Sequence, residues 1–212
     1  RGIDTKYFNQ PIEVGIKDNI IKSYKIDTAK KIILFPARIT SWKGQLEFID
    51  VIKKMDTQNI LVLFAGDTKN KSYTKLVRDK IEQNNLKHVC KILGSVNQDE
   101  MRSLYQLANL SVSFPLRAEG FGRTISESLY SQTPVLAFDY GGVKNQLANL
   151  SDMFKVKPQD FQVLPAKIEK LLSLSDVEKK EALEGVQSVI ESNFSKINMV
   201  KQYLKLYESF KS

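Results

Sequence analysis

The chain has 212 residues, of which 42% are hydrophobic and 26% charged, a composition typical of a globular protein with a sizeable core. Its single cysteine, Cys90, excludes an internal disulfide framework, and no apolar run approaches the roughly 18 residues that a membrane-spanning helix requires. The net charge of +8, mostly from dispersed lysines, indicates a solvated basic surface or attraction to phosphate-bearing substrates or an anionic membrane. The sequence has no arginine-rich tract and no basic patch interleaved with aromatic residues, which argues against nucleic acid.

The first part of the chain alternates between short apolar runs and helical patterns. Residues 1–4 contain no initiator methionine, and we expect the chain to be part of a longer protein. A short helix is predicted at 14–26, followed by strands at 31–35, 60–64, 89–93, 110–114, 134–138 and 154–156. Apolar strands separated by helices predict an α/β fold, a Rossmann-like open parallel sheet of about six strands with helices on both faces.

Two of the intervening helices carry specific expectations. The helix after the second strand is expected to bury one side that includes Tyr73, Leu76, Val77 and Ile81, because apolar residues recur there at helical spacing. In the helix after the third strand, Asn97 precedes Glu100 by three residues, which predicts a capping box.

From residue 160 onward only helices are predicted. The first begins at Phe161, the second is capped by Ser175 and Glu178 and continues to Ile190, and the last covers 195–210. The last helix has two apolar faces, which indicates burial between two bodies. We therefore divide the chain into a linker at 1–13, an α/β domain at 14–194 and a C-terminal helix at 195–212.

Loops rich in glycine or charge follow five of the predicted strands. In an open parallel sheet, ligands bind beyond the carboxyl ends of the strands, so we expect these loops to form one site. In strand order, the loops contain Arg38 with Lys43, Gly66 with Asp67, 94–96, 119–124, and Gly141 with Gly142.

The fourth loop has the most informative pattern. Gly120 and Gly122 flank Phe121 where a strand turns into a helix, so backbone amides can approach a ligand closely. The free N–H groups of the first helical turn suit a phosphate. Glu119 and Glu127, eight residues apart, place a hydroxyl-binding carboxylate before and after this turn. A sugar joined to a nucleoside through two phosphates has the same layout of groups.

The same residues also have a purely structural interpretation, and their spacing alone leaves both open. The glycines could shape a turn, and Glu119 could be a solvated loop charge. Thr124 with Glu127 has the spacing of a capping box, and Arg123 with Glu127 that of a helical ion pair. Other chemistry is disfavoured: there is no dinucleotide fingerprint or P-loop. One histidine, His88, and one cysteine exclude a soft-ligand metal cluster or a nucleophile–histidine triad within this chain.

Five segments together resemble the C-terminal domain of retaining glycosyltransferase family 4, the "group 1" transferases of two-domain GT-B architecture. The resemblance covers nearly the whole chain, and 1–8 is similar to the linker by which that family enters this domain. The chain departs from the common pattern at 116–118, where a serine is usual, and at Asn145, where a glutamate is usual. The segments are 36–44, 65–67, 93–96, 119–127, and Pro134-Val with Gly141-Gly142.

The resemblance implies a role for each matching position. Arg38 and Lys43 would bind the donor's diphosphate and stabilise charge on the departing nucleotide, and Glu119 would bind hydroxyls of the transferred sugar. The backbone around Val96 would hold the nucleobase, and Gly66 would belong to the same donor site.

The glycine turn and its helix complete the implied donor site. Amides near Gly120, Phe121 and Gly122 would assist in binding the sugar, and Thr124 at the helix start would meet the phosphates. Glu127 would bind the two ribose hydroxyls. The implied site uses neither a metal ion nor a cofactor.

The resemblance implies the donor-binding half of a hexosyltransferase in polysaccharide or glycolipid biosynthesis. An absent N-terminal domain, packed on the helix at 195–212, would supply the sugar or lipid-linked acceptor, so we expect the chain alone not to transfer sugar. The implied location is cytoplasmic, with peripheral contact at the inner face of the plasma membrane. An epimerase-like half-domain and a non-catalytic nucleotide-sugar-binding module remain as alternatives.

Overall fold

A computed structural model describes residues 1–13 and 15–210 of the chain. Its centre is a parallel sheet of six strands in the order β3-β2-β1-β4-β5-β6. Each strand end lies within one residue of its predicted position, so the predicted Rossmann-like sheet is confirmed. The strands are β1 (Lys31–Pro36), β2 (Ile60–Ala65), β3 (Cys90–Gly94), β4 (Leu110–Ser113), β5 (Val135–Phe138) and β6 (Lys155–Val156).

Helices cover both faces of this sheet. On β1, Ile33 and Phe35 point into one apolar core, whereas Ile32 and Leu34 point into another on the opposite face. This alternation follows from the two-residue period of a strand. The helices are α1 (Thr5–Asn9), α2 (Ile16–Ser23), α3 (Gln45–Ile52), α4 (Lys71–Gln83), α5 (Gln98–Leu107), α6 (Arg123–Tyr130), α7 (Gly142–Leu147), α8 (Leu164–Ser173), α9 (Asp176–Ala182), α10 (Val186–Phe194) and α11 (Lys196–Ser209), with 3₁₀ turns at Asp152–Phe154 and Phe161–Val163.

Aromatic rings fill the larger core near the carboxyl ends of the central strands. Phe114, just beyond β4, lies 5.5 Å from the ring of Phe48 on α3 and 5.2 Å from that of Phe138 on β5. Ring pairs at these spacings stabilise the packing beyond the area they bury. The loops that follow β1, β4 and β5 therefore start from a rigid base.

Three helix predictions need correction. The helix predicted at 14–26 covers only Ile16–Ser23, and Val14 lies outside the described residues. The helix predicted from Ser175 to Ile190 is two helices, because Gly185 adopts a left-handed φ of 72° and begins α10. Leu76, expected on the buried side of α4, is 54% exposed. The buried side of this helix includes Thr74 instead, and Leu76 lies at the opposite edge of that side.

Both predicted capping boxes are confirmed. Asn97 and Glu100 exchange hydrogen bonds at the start of α5, and Ser175 and Glu178 do so at the start of α9. Each box satisfies N–H groups that have no partner within the helix, which explains why these two starts were predicted correctly.

The terminal helix α11 has no buried side chain in the described part of the chain. Met199 is partly buried, whereas six other apolar residues of the helix are 45–62% exposed, and the prediction that another domain covers them stays a prediction. These six are Ile197, Val200, Tyr203, Leu204, Leu206 and Tyr207. Positions 211 and 212 of the predicted C-terminal segment lie outside the described residues. Among the described helices, none has both the length and the apolarity that crossing a bilayer demands.

The linker residues at 1–4 run beside the junction of α10 and α11. The Ile3 amide donates to the Phe194 carbonyl at 2.9 Å, and the Lys196 amide donates to the Ile3 carbonyl at 2.7 Å. The Ile3 side chain is buried in the larger core. The start of the chain is therefore attached beside the start of its last helix.

Candidate functional site

The candidate site lies between β1 and β4, where the order in which strands are added to the sheet reverses. β1 has β2 on one side and β4 on the other, so the loops that leave β1 and β4 diverge and open a crevice. The two loops are tied by a hydrogen bond of 2.7 Å from the Leu116 amide to the Trp42 carbonyl. Gly44, with a φ of 83°, lies so close to the Phe114 carbonyl that a β-carbon would overlap it.

Nearly all of the predicted site residues line one cleft of about 890 Å³ in this crevice. Glu127 lines an adjoining cleft of about 570 Å³, and Val96, Arg123 and Thr124 line both. The predicted residues in the larger cleft are Arg38, Lys43, Gly66, Val96, Glu119, Gly120, Phe121, Gly122 and Thr124. The structure therefore brings together residues from the loops after the first four strands.

Lys43 and Glu119 form an ion pair across this crevice. The Lys43 ammonium donates to Glu119 Oε1, and each side chain is only 14% exposed. Lys43 Nζ also lies 4.2 Å from the centre of the Trp42 ring, a distance suited to a cation–π interaction. Glu119 is therefore not a solvated loop charge.

Arg38 is exposed and lines the same cleft. Within the described chain, no carboxylate lies close enough to form an ion pair with its guanidinium. Its backbone is fixed, because fully buried Gln45 donates from Nε2 to the Arg38 carbonyl at 2.9 Å and the Ile39 amide donates to the Asp67 carbonyl at 2.9 Å. Arg38 thus presents an unpaired cation from a fixed loop.

The glycine turn after β4 is shaped by its neighbours. Gly122 precedes α6 with a φ of 71°, and no side chain of the described residues caps the helix, so the capping box considered for Thr124 and Glu127 does not form. Gly142 donates to the Glu119 carbonyl at 2.8 Å, and a β-carbon on Gly142 would overlap the Gly120 carbonyl. The paired glycines after β5 are therefore needed to hold this turn.

Buried Gln146 on α7 also holds the turn. Its Nε2 donates to the Phe121 carbonyl, and its Oε1 accepts from the buried Ser126 hydroxyl. Arg123 and Thr124, the first two residues of α6, line the larger cleft, and amides at this position have no carbonyl four residues back within the helix. This arrangement can bind an anion.

Glu127 is 13% exposed and has two partners. Arg123 Nε lies 3.1 Å from Oε1, which confirms the helical ion pair, and the Tyr105 hydroxyl donates to Oε2 at 3.0 Å. Burial raises the pKa of Glu127 above its ordinary value, while Arg123 and Tyr105 act in the opposite direction. The carboxylate is thus held in place at the edge of the smaller cleft.

Sequence reasoning missed several residues of this site. Trp42 lies in one of the segments that carry the family resemblance but was given no role, and neither were Gln45, Gln146 and Tyr105. Gln45 follows Gly44 directly at a helix start, but only the structure shows that its amide is buried and bonded to the Arg38 carbonyl. Nothing in the local pattern of Gln146 or Tyr105 predicts their contacts, because these span 25 and 22 residues.

A family model described as glycosyl transferases group 1 matches residues 16–184 of the chain. The chain belongs to this family. It is 27% identical to the trehalose synthase of Thermococcus litoralis over 197 residues. The matched region covers 90% of this chain and 47% of that protein. The chain spans about half the length of the curated relatives it matches.

Solved structures agree with membership of the group 1 family. A glycosyltransferase from Rickettsia africae superposes with a TM-score of 0.90 at 27% identity, over 99% of this chain and 55% of that one. HepE of Anabaena, crystallised with UDP and glucose, shares the fold with a TM-score of 0.83 at 20% identity, over 98% of this chain and 55% of HepE. The predicted fold, one half of a GT-B transferase, is confirmed.

Proposed function

We propose that this chain is the donor-binding half of a retaining hexosyltransferase that uses a nucleoside-diphosphate sugar. The observation that carries the proposal is the cleft between the β1 and β4 loops, where Arg38, Lys43 and Glu119 meet the start of α6. Membership of the group 1 family supports it, and so does the UDP-sugar complex of the similarly folded HepE. The family match also favours a transferase over the epimerase-like alternative.

The donor's diphosphate would lie against the start of α6 and the glycine turn at 120–122. Arg38, which has no counter-charge within the described chain, and Lys43 would stabilise the negative charge that develops on the departing nucleoside diphosphate. Fixed cations stabilise such charge more strongly where water is excluded than they would in bulk solvent. The proposed step requires neither a metal ion nor a cofactor.

The sugar and the nucleoside would occupy opposite ends of the two clefts. Glu119 would accept hydrogen bonds from hydroxyls of the transferred sugar, and Gly66 would border the same space. Glu127 would accept hydrogen bonds from the ribose hydroxyls, while backbone around Val96 would contact the base. Thr124 lines both clefts and would lie beside the phosphates between them.

The acceptor and the setting of the reaction complete the proposal. The acceptor, a sugar or lipid-linked sugar, would be bound by a further domain, so this chain by itself would bind donor without transferring sugar. The proposed role is polysaccharide or glycolipid synthesis at the cytoplasmic face of a membrane, where a net charge of +8 favours anionic lipid.

An NMR titration of this chain with UDP-glucose, GDP-mannose and ADP-glucose tests the donor site. We expect one of them to shift the amide signals of Gly120, Gly122 and Thr124. Lys43→Ala should weaken that binding roughly tenfold or more, because it removes charged hydrogen bonds of about 1.5–3 kcal/mol.

Lys75→Ala is the matched control, because Lys75 forms an exposed ion pair with Asp79 on α4 and does not line either cleft. Its affinity should equal that of the wild type. If none of the three sugar nucleotides shifted amide signals in the clefts, the proposal would be wrong.

A further inference from the structure

The two oxygens of Glu127 have different surroundings. Oε1 accepts from Arg123, whose exposed side chain lines both clefts. Oε2 points the other way and accepts from the Tyr105 hydroxyl, which is fully buried. One oxygen thus lies on the ligand side and the other is attached to the protein interior.

Tyr105 is itself held rigidly. Its ring is part of the smaller core, among Leu34, Leu63 and Leu104, and its backbone carbonyl accepts from the buried Thr133 hydroxyl at 2.7 Å. Burial, with the nearby Glu127 carboxylate, raises the pKa of Tyr105 well above its ordinary value. The phenol therefore stays protonated and acts as a donor at every physiological pH.

We propose that Tyr105 is a positioning residue for donor binding, which fixes Glu127 by Oε2 so that Oε1 is presented to the ribose hydroxyls once Arg123 moves aside. This inference rests on the proposed function, since it assumes that Glu127 binds ribose. Without the Tyr105 hydroxyl, and with Arg123 displaced, a carboxylate with this little exposure would have no fixed orientation or would take up a proton. Arg123 is exposed, so its release requires no rearrangement of the core.

A positioning role predicts a pH signature that a merely structural tyrosine would lack. The ionised carboxylate accepts hydrogen bonds from ribose, so affinity should fall when the pH drops through the raised pKa of Glu127. Removing the Tyr105 hydroxyl removes a group that lowers this pKa, so the fall should then occur at higher pH. The charged or titratable groups facing Glu127 are Tyr105 on α5 and Arg123 on α6, with Asp4, Tyr7 and Lys196 across the smaller cleft.

The test measures affinity for UDP-glucose, or for GDP-mannose if that binds the wild type more tightly, by calorimetry across a pH series. We expect Tyr105→Phe to bind roughly tenfold more weakly near neutral pH, about the contribution of one hydrogen bond to a charged group. We also expect the pH at which its affinity falls to be higher than in the wild type. Tyr73→Phe is the matched control, since it removes the hydroxyl of another buried tyrosine, one that lines neither cleft.

Glu127→Gln separates the two levels of the proposal. If Glu127→Gln binds as tightly as the wild type, the ribose assignment fails and the role of Tyr105 fails with it. If Glu127→Gln loses affinity but Tyr105→Phe matches Tyr73→Phe in affinity and pH profile, only the positioning role is overturned. A uniform loss in Tyr105→Phe without a shifted pH profile would also overturn it, because it would indicate a structural effect.

A second measurement does not require Tyr105→Phe to fold. In the wild type, we expect the Tyr105 hydroxyl proton to exchange slowly enough to give an NMR signal that moves in Glu127→Gln. The signal should persist when the sugar nucleotide binds, because Oε2 stays attached to Tyr105. Loss of the signal on binding would show that the hydrogen bond breaks, which contradicts the proposal.

Discussion

The cleft and the terminal helix differ in how their side chains are held. Around the cleft, buried groups such as Gln45, Gln146 and Tyr105 bond to the loops and carboxylates that line it. On α11, by contrast, apolar side chains such as Leu204 and Tyr207 have large exposed fractions. The comparison indicates that buried side chains of this chain hold the cleft in shape, whereas α11 contributes little to the stability of the chain.

The largest effect on the free energy of unfolding is expected from truncating one leucine in each region. Leu129 on α6 is fully buried and Leu204 on α11 is 55% exposed. Leu129→Ala should lower the free energy of unfolding by about 2–5 kcal/mol, because it leaves a cavity, while Leu204→Ala should change it by less than about 0.5 kcal/mol. Urea unfolding followed by circular dichroism measures both, and similar losses would contradict the contrast.

The next largest effect concerns the glycine that lets two loops meet. Gly44→Ala should destabilise the fold by about 2–4 kcal/mol, because its left-handed backbone disfavours a β-carbon and the Phe114 carbonyl occupies the space. Gly185→Ala has the same backbone strain but open space around it, so about 1 kcal/mol is expected. Equal losses in the two variants would mean that the loops do not pack as described.

A smaller effect is expected from the glutamine that holds the glycine turn. Gln146→Leu removes two buried hydrogen bonds and leaves the Ser126 hydroxyl without its acceptor, at a cost of about 1–3 kcal/mol. Hydrogen exchange at the 120–122 amides should quicken. Gln106→Leu, an exposed change on α5, is the control, and unaltered exchange at 120–122 in Gln146→Leu would show that the turn is held by other contacts.

The smallest effect is a pH dependence of stability. The folded-state pKa of Glu127 is raised by burial, so its protonated form favours folding. That contribution is complete below the ordinary value of 4.5 and is lost as the pH rises through the raised pKa. As the pH rises through this pKa, the free energy of unfolding of the wild type should therefore fall relative to that of Glu127→Gln. A difference in free energy between the two that stays constant with pH would contradict the burial of the carboxylate.

The parts of the fold that sequence predicted are those in which the local pattern decides the structure. Apolar runs determined the strands, and the capping residues Asn97 and Ser175 marked helix starts, because each depends on neighbours within a few positions. The parallel arrangement then placed the loops at one edge, since all strands end on the same side. The positions of Arg38, Lys43 and Glu119 followed from that rule together with the family resemblance.

What sequence could not predict depends on distant partners. The break at Gly185 resembles any glycine within a helical run, and the inward turn of Thr74 depends on what α4 packs against. Tyr105 has the pattern of a core residue, and only the folded chain shows that its hydroxyl meets Glu127. Contacts of this kind are long-range side-chain bonds, which leave no periodic signal in the sequence.

The ion pair between Lys43 and Glu119 has one further consequence. Each group is the counter-ion of the other, so neither of these partly buried charges is left unneutralised. If Lys43 binds a diphosphate as we propose, the diphosphate would have to compete with Glu119 for the ammonium, and the released carboxylate would then need hydroxyl donors of its own. A molecule that carries only phosphates would leave that carboxylate without a partner. A molecule that also carries sugar hydroxyls would provide an anion for Lys43 and hydrogen-bond donors for Glu119.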